Sequence, residues 1–378
     1  MKTKVSLDNN TQVFFELVRA GLWEKEVRLA PYGEVDFPEI LKLATEQSVV
    51  GLVAAGLEHV KDVKVPQEWT LQFIGSTLQI EQRNKAMNEF VEKLITLLRQ
   101  NDIYTLLVKG QGIAQCYERP LWRSSGDVDL LLSDSNYERA KQLLLPLATD
   151  VETEYSHFKH QGMTIDGWVV ELHGTLHSRL SRRVDNMIDS VQGDVFYDGE
   201  VRSWQNGKTQ VFLPSPDNDI IFVFTHILHH FFFEGIGLRQ ICDWCRLLWT
   251  YRDTLNHGLL ESRLRKAGLM TEGKAFASVA VAYLGMPVDA MPLYDADERW
   301  KRKADGICQF VMEVGNFGHN KMVHGEGVKV HGYFGRKFIS FWCRLSDMLR
   351  HFRLFPKDSI VFFGGVLRSG LHAAVSGE

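Results

Sequence analysis

Gly126-Asp127-Val128-Asp129-Leu130-Leu131-Leu132 decides the reading of this chain, together with the upstream run Leu106-Leu107-Val108-Lys109-Gly110. Asp127 opens an apolar, strand-like segment. Side chains alternate along a strand, so Asp127 and Asp129 share one face and Val128 and Leu130 the other. Two like charges side by side on a sheet repel each other. A divalent cation is the usual compensation for such a pair.

Working outward, Tyr104 to Val108 reads as a short strand. Gly110 and Gly112 then open a helix that the pattern carries through Ile113, Ala114 and Tyr117. After the aspartate strand, Ser135 and Glu138 have capping-box spacing, which predicts a helix from about Asn136 to Leu145. Met163-Thr164-Ile165 and Trp168-Val169-Val170-Glu171-Leu172 flank Asp166-Gly167, a strong two-residue hairpin signal. The middle of the chain is therefore a small mixed α/β sheet with helical cover.

Both flanks read as helical. Phe14, Leu17, Val18 and Leu22 recur at helical spacing, as do Phe90, Leu94, Leu97 and Leu98. Pro214 and Pro216 mark a second change of character. The expected organisation is an N-terminal helical region over 1–100, a core over 101–213 and a C-terminal helical domain over 214–378, in the α+β class. The segment from Phe334 to Phe355 reads as an amphipathic helix with a basic outer face.

Composition narrows the function classes. The chain has 378 residues and a formal net charge of -4, so no global basic footprint points to a long nucleic-acid groove. Residues 101–215 are the acidic part, with 11 basic and 16 acidic side chains. Five cysteines do not make a disulfide framework. The run Ile220 to Phe233 is too short for a membrane span and contains His226, His229 and His230. The first residues lack the apolar core of a signal peptide, so the expected location is cytoplasmic.

The chemistry is carried by a small set. Asp127 and Asp129 supply two carboxylates, and Glu171 is the natural third, on a strand able to lie beside theirs. Metal-assisted phosphoryl or nucleotidyl transfer needs such converging ligands. In that reading Asp127 and Asp129 bind Mg²⁺ or Mn²⁺, and Glu171 completes the site or acts as general base. Lys109, the Gly110 turn and Arg123 are expected to hold phosphates. His173, two residues beyond Glu171, faces the same side and could touch nucleotide or cap the sheet. His226, His230 and Glu234 fall on one helix face; buried, hydrogen-bonded histidines are the expectation there, with His230 as a candidate lining of the nucleotide cleft. Arg239 and Asp243, four apart, are expected to form a helical ion pair. Cys242 and Cys245 spell C-x-x-C, but in an apolar helical pattern rather than a redox or zinc context.

In order, Leu107-Val108-Lys109-Gly110, then Arg123 to Leu131, then Val170-Glu171-Leu172-His173 resemble the signatures of uncharacterised bacterial nucleotidyltransferases of the DNA polymerase beta superfamily. Weaker similarity continues through His226 to His230, Leu238-Arg239, Asp243 and Leu354-Phe355-Pro356. The resemblance implies a minimal mixed-sheet core, an NTP donor and Mg²⁺ on Asp127, Asp129 and Glu171; ATP is the expected NTP. Two departures bear on the phosphate site. Lys109-Gly110-Gln111 lacks the usual second small residue of the glycine turn, and the interval from Gly110 to Asp127 is longer than in the superfamily pattern. The acceptor is left open, from sugars to proteins to RNA ends. The alternatives are a non-catalytic nucleotide-binding or interaction protein on the same fold, and a metal-dependent phosphohydrolase.

Overall fold

The computed structural model describes residues 7–154, 159–316 and 349–362. Helices α1 (Asn9–Trp23), α2 (Phe37–Glu46), α3 (Val50–Glu58) and α4 (Gln67–Gln100) come first. Strand β1 (Leu106–Val108), helix α5 (Gly110–Ala114), strand β2 (Asp127–Leu131) and helix α6 (Asp134–Leu144) follow. Then come β3 (Asp150–Val151), β4 (His160–Ile165), β5 (Trp168–His173) and α7 (Arg182–Phe196). The chain continues through β6 (Val201–Asn206), β7 (Thr209–Pro214), α8 (Pro216–Phe233), α9 (Leu238–Tyr251), α10 (His257–Ala267), α11 (Met270–Ala282) and α12 (Glu298–Val314). Residues 349–354 and 356–362 are also helical. The basic segment expected over 334–355 lies outside the described residues as far as residue 348. Among the described residues, no helix is long and apolar enough to cross a membrane.

Five strands form a mixed sheet in the order β1-β2-β5-β4-β3. Only β2 and β5 run parallel, and their register sets Asp129 opposite Glu171 and Leu131 opposite His173. The hairpin between β4 and β5 turns at Asp166 and Gly167, whose φ angles are 49° and 78°. Two successive positive φ angles make the type I′ geometry that matches strand twist. The fold class is the expected one, α+β with a small mixed sheet flanked by helices.

Three local boundaries differ from the sequence expectation. Helix α6 begins at Asp134 rather than Asn136, because the Tyr137 amide already bonds to the Ser133 carbonyl at 2.8 Å. Helix α5 stops at Ala114 instead of reaching Tyr117. There the Cys116 carbonyl accepts from Arg246 Nε at 2.7 Å and from Thr250 Oγ1 at 3.3 Å, so α9 side chains hold the chain after its single turn. The edge strand β3 has two exposed residues and no alternating pattern to announce it.

The two faces of the sheet meet two different cores. Val128, Leu130, Val170 and Leu172 point into a cluster with Met87, Phe90, Val91 and Leu94 of α4 and Tyr137 of α6. Leu106, Val108 and Leu131 point the other way, into a larger cluster. That cluster joins α1–α3 to the helices after Pro214, with Phe14 and Leu17 in the same core as Phe224, Phe231 and Trp244. Asp127, Asp129, Glu171 and His173 alternate with the first set, so they rise from the face that meets the larger cluster.

Candidate active site

The carboxylates come together as the register requires. Ligand oxygens of Asp127, Asp129 and Glu171 all lie within 4.8 Å of one another. They stand at one side of a cleft of about 550 Å³ whose opposite wall carries His226, His230 and Arg239. Asp129 is 2% exposed. Its Oδ1 is 2.7 Å from Lys109 Nζ and 2.9 Å from His173 Nε2.

Lys109 is placed by strained backbone. It sits between β1 and α5 with φ 57° and ψ -146°, a region that non-glycine residues rarely occupy. The next residue, Gly110, has φ 39°, and a Cβ there would sit 3.4 Å from the Asp127 carbonyl oxygen. The turn thus brings the lysine amine and the head of β2 to the same spot.

The electrostatics of the row follow from crowding. The charge of Asp129, then burial, raises the pKa of Asp127, with Lys109 pulling the other way. Burial disfavours the Lys109 ammonium, but the charges of Asp129, Glu171 and Asp127 outweigh it and raise its pKa. Burial likewise opposes ionisation of Glu171. Hydrogen bonds from His160 and His173 and the Lys109 charge overcome it and hold Glu171 well below the usual carboxylate range. His173 is raised: burial lowers it, and its bonds to Asp129 and Glu171 more than reverse that.

Arg123 and Arg239 differ from their expected places. Arg123, expected to grip phosphate, is buried and makes a two-pronged ion pair with Asp243, Nε to Oδ1 and Nη2 to Oδ2 at 2.7 Å each. Its Nη1 bonds to the Ser124 carbonyl and to Ser125 Oγ. Tyr117 Oη donates to the same Asp243 at 2.7 Å. The carboxylate expected to pair with Arg239 is therefore occupied from another element. Arg239 instead donates from Nη1 to the Ser124 carbonyl at 2.8 Å, and its buried Nε has no hydrogen-bond partner. Burial, then the neighbouring Arg123, lowers the Arg239 pKa; Asp243 and Asp127 act against them.

The histidine face of α8 lines the same cleft. His230 Nδ1 lies 2.6 Å from Glu234 Oε2, and His229 Nδ1 lies 2.6 Å from the Ser178 carbonyl. Burial, Lys109 and His230 push His226 well below its ordinary value, and burial takes His229 down to about 4. The Cys242 and Cys245 thiols are buried in the core, and burial pushes both upward.

His160 escaped the sequence reading. It pairs in register with His173 across the hairpin, and its Nε2 lies 3.3 Å from Glu171 Oε2. A signal for it existed. Counting six residues outward on each side of the Asp166-Gly167 turn pairs position 160 with position 173.

Comparison with known proteins adds a family. None of the curated proteins matches the chain. Among solved structures, the crystal structure of an antigenic nucleotidyltransferase-like protein from Paracoccidioides brasiliensis is similar at 14% sequence identity and a TM-score of 0.30, over 55% of this chain and 93% of that one. Residues 33–285 match the family model described as "Uncharacterised nucleotidyltransferase". With more than half of its length inside that match, the chain belongs to the uncharacterised nucleotidyltransferase family.

Proposed function

We propose that this chain transfers a nucleoside monophosphate from an NTP, with ATP as donor, to an acceptor hydroxyl or phosphate. An acceptor oxygen bonds to the α-phosphorus as the bond to the bridging oxygen breaks, and pyrophosphate leaves. The observation that carries the reading is the convergence of Asp127, Asp129 and Glu171 beside Lys109 in one cleft. The DNA polymerase beta superfamily, a bacterial source and a cytoplasmic location belong to the same proposal.

The residues fit a hard divalent cation. Three carboxylates offer oxygen donors of the kind Mg²⁺ or Mn²⁺ takes, and the repulsion that raises the Asp127 pKa marks negative charge that Lys109 alone does not balance. Asp127, Asp129 and Glu171 would hold it. When bound, the cation supplies charge stabilisation for the triphosphate and for the reacting oxygens.

The chain's own groups divide the remaining work. Lys109 holds Asp129 and adds positive charge where phosphate oxygens would lie. Arg239, which lines the cleft wall, takes the phosphate-binding role that the sequence suggested for Arg123. Arg123 keeps Asp243 and the 123–125 loop in place behind it. Glu171 is held ionised by two histidines, which makes it a poor proton acceptor and favours the ligand role over the general-base role. His173 orients Asp129 and Glu171, and His226 and His230 form the far wall against the nucleotide.

Calorimetric titration of ATP, GTP, CTP and UTP with Mg²⁺ tests the reading. One nucleotide should bind in a Mg²⁺-dependent way, and Asp127→Asn should weaken that binding and reduce pyrophosphate release on the order of 100-fold or more while keeping the wild-type circular dichroism. Full activity in Asp127→Asn would sink the assignment. Nucleotide binding without pyrophosphate release, with every acceptor class tried, would make the chain a binding module.

A further inference from the structure

We infer that the cleft holds a second metal position, built on His160, Glu171 and His173, that takes a transition-metal ion rather than magnesium. The inference goes beyond the proposed function: it stands on donor geometry whether or not a nucleotide binds.

The three side chains present one ligand atom each within 4.8 Å of one another. Both imidazole Nε2 atoms lie 3.3 Å from the same Glu171 Oε2. That distance is informative. Charge-assisted N–H···O bonds close to about 2.7–2.9 Å. His173 Nε2 makes such a bond to Asp129 Oδ1 at 2.9 Å, so its one proton points to Asp129 and its approach to Glu171 is the longer contact of the same nitrogen. The separation between two ligands of one tetrahedral ion, with metal–ligand bonds of about 2.0–2.1 Å, is about 3.3–3.4 Å. The two 3.3 Å separations are hydrogen-bond contacts that also equal the spacing of two ligands on one ion, which would take the place of the imidazole protons.

The backbone holds this set as firmly as the aspartate pair. His160 and His173 are direct register partners in the β4–β5 hairpin, and their rings stack with centroids 4.8 Å apart and planes at 26°. Both rings therefore present Nε2 from one side of the sheet. Glu171 lies two residues before His173 on the same face and is common to both donor sets. Its partners differ in chemistry. Asp127 and Asp129 give hard oxygen donors, whereas two imidazoles and one carboxylate suit zinc, iron, cobalt or nickel. Three protein donors is also the number found at catalytic zinc sites, which keep a position for water or substrate.

The full-length protein, titrated with Co²⁺ in a large excess of Mg²⁺, tests this. Magnesium competes for the aspartates and leaves the histidine position as the nitrogen-containing one. One equivalent of Co²⁺ should bind with a visible spectrum typical of nitrogen ligation. It should persist in Asp127→Asn and weaken roughly 10-fold or more in His160→Ala and in His173→Ala. Pulsed paramagnetic resonance on wild-type protein loaded with one equivalent of Cu²⁺ in a large excess of Mg²⁺ should show nitrogen couplings, a readout that depends on no variant folding correctly. Absence of nitrogen coupling, or equal Co²⁺ uptake in wild type and both histidine variants, overturns the inference and leaves the histidines as hydrogen-bond partners of Glu171. Loss of the nitrogen-ligated ion in Asp127→Asn overturns it as well. Neither measurement involves nucleotide, so failure here is distinct from failure of the transfer reading, which shows as missing nucleotide binding and pyrophosphate release.

Discussion

Arg123 and Arg239 show how far a single residue type can be read. Both are arginines near the aspartate strand, and the sequence assigned phosphate to the first and an ion pair to the second. The structure gives the buried pair to Arg123. Breaking a buried ion pair from one side strands the other charge. Arg123→Ala should therefore destabilise the fold by about 3–5 kcal/mol, read by urea unfolding. Arg239→Gln should leave the unfolding midpoint near wild type and weaken ATP binding in calorimetry. The reverse pattern would restore the sequence assignment. A second test at this scale concerns Glu272 in α11, which is fully buried. Burial, and then Asp358, push its pKa well above the ordinary 4.5. The folded state thus keeps a proton that the unfolded state loses, so this stabilising contribution is full below pH 4.5 and declines as pH rises toward the folded value. The slope is at most about 1.4 kcal/mol per pH unit. Glu272→Gln should melt higher than wild type at pH 8 and match it at pH 4; equal melting at both pH values would refute the buried, protonated carboxyl.

Elements were legible where a local pattern enforced them. Asp166-Gly167 specified the hairpin because few dipeptides tolerate two positive φ angles in sequence. That turn fixes which β4 residue meets each residue of β5, whereas Asp129 meets Glu171 through the separate β2–β5 register. Gly167→Val should cost about 1–2 kcal/mol in urea unfolding, since a β-branched residue is strained at φ 78°. Because the same turn sets the pairing of His160 with His173 beside Glu171, the variant should also lose part of its metal affinity. A stability loss with unchanged metal binding would show that the register survives without the glycine. Other elements were hidden because distant contacts decide them. The end of α5 depends on Arg246 and Thr250, more than a hundred residues later. The extra strand β3 is too short to carry a pattern. The paired aspartates were visible as Asp-x-Asp, whereas the arginine exchange was not, because Asp243 lies 120 positions from its partner.

Across the whole molecule, the carboxylate row rises from the sheet face that meets the helical core, and the cleft closes between the sheet and α8–α9. The fold thus sets Asp127 and Asp129 side by side in a recess, and the repulsion that raises the Asp127 pKa weighs against the native state. Whatever occupies the recess relieves it and binds only the folded chain. A ligand at 100 times its dissociation constant stabilises by about 2.7 kcal/mol. Mg²⁺ should therefore raise the melting temperature of wild type, Mg²⁺ with the true donor nucleotide should raise it further, and Asp127→Asn should show neither shift. Equal melting with and without Mg²⁺ would count against the carboxylate site.

The crowding that strains the row also turns the protein into its own assay. Heat resistance becomes a gauge of occupancy, legible without any enzymatic product. A library of small hydroxyl compounds can be screened on top of the nucleotide for a further rise in melting. The missing acceptor could then be recognised by what it does to the melt, before any reaction has been observed.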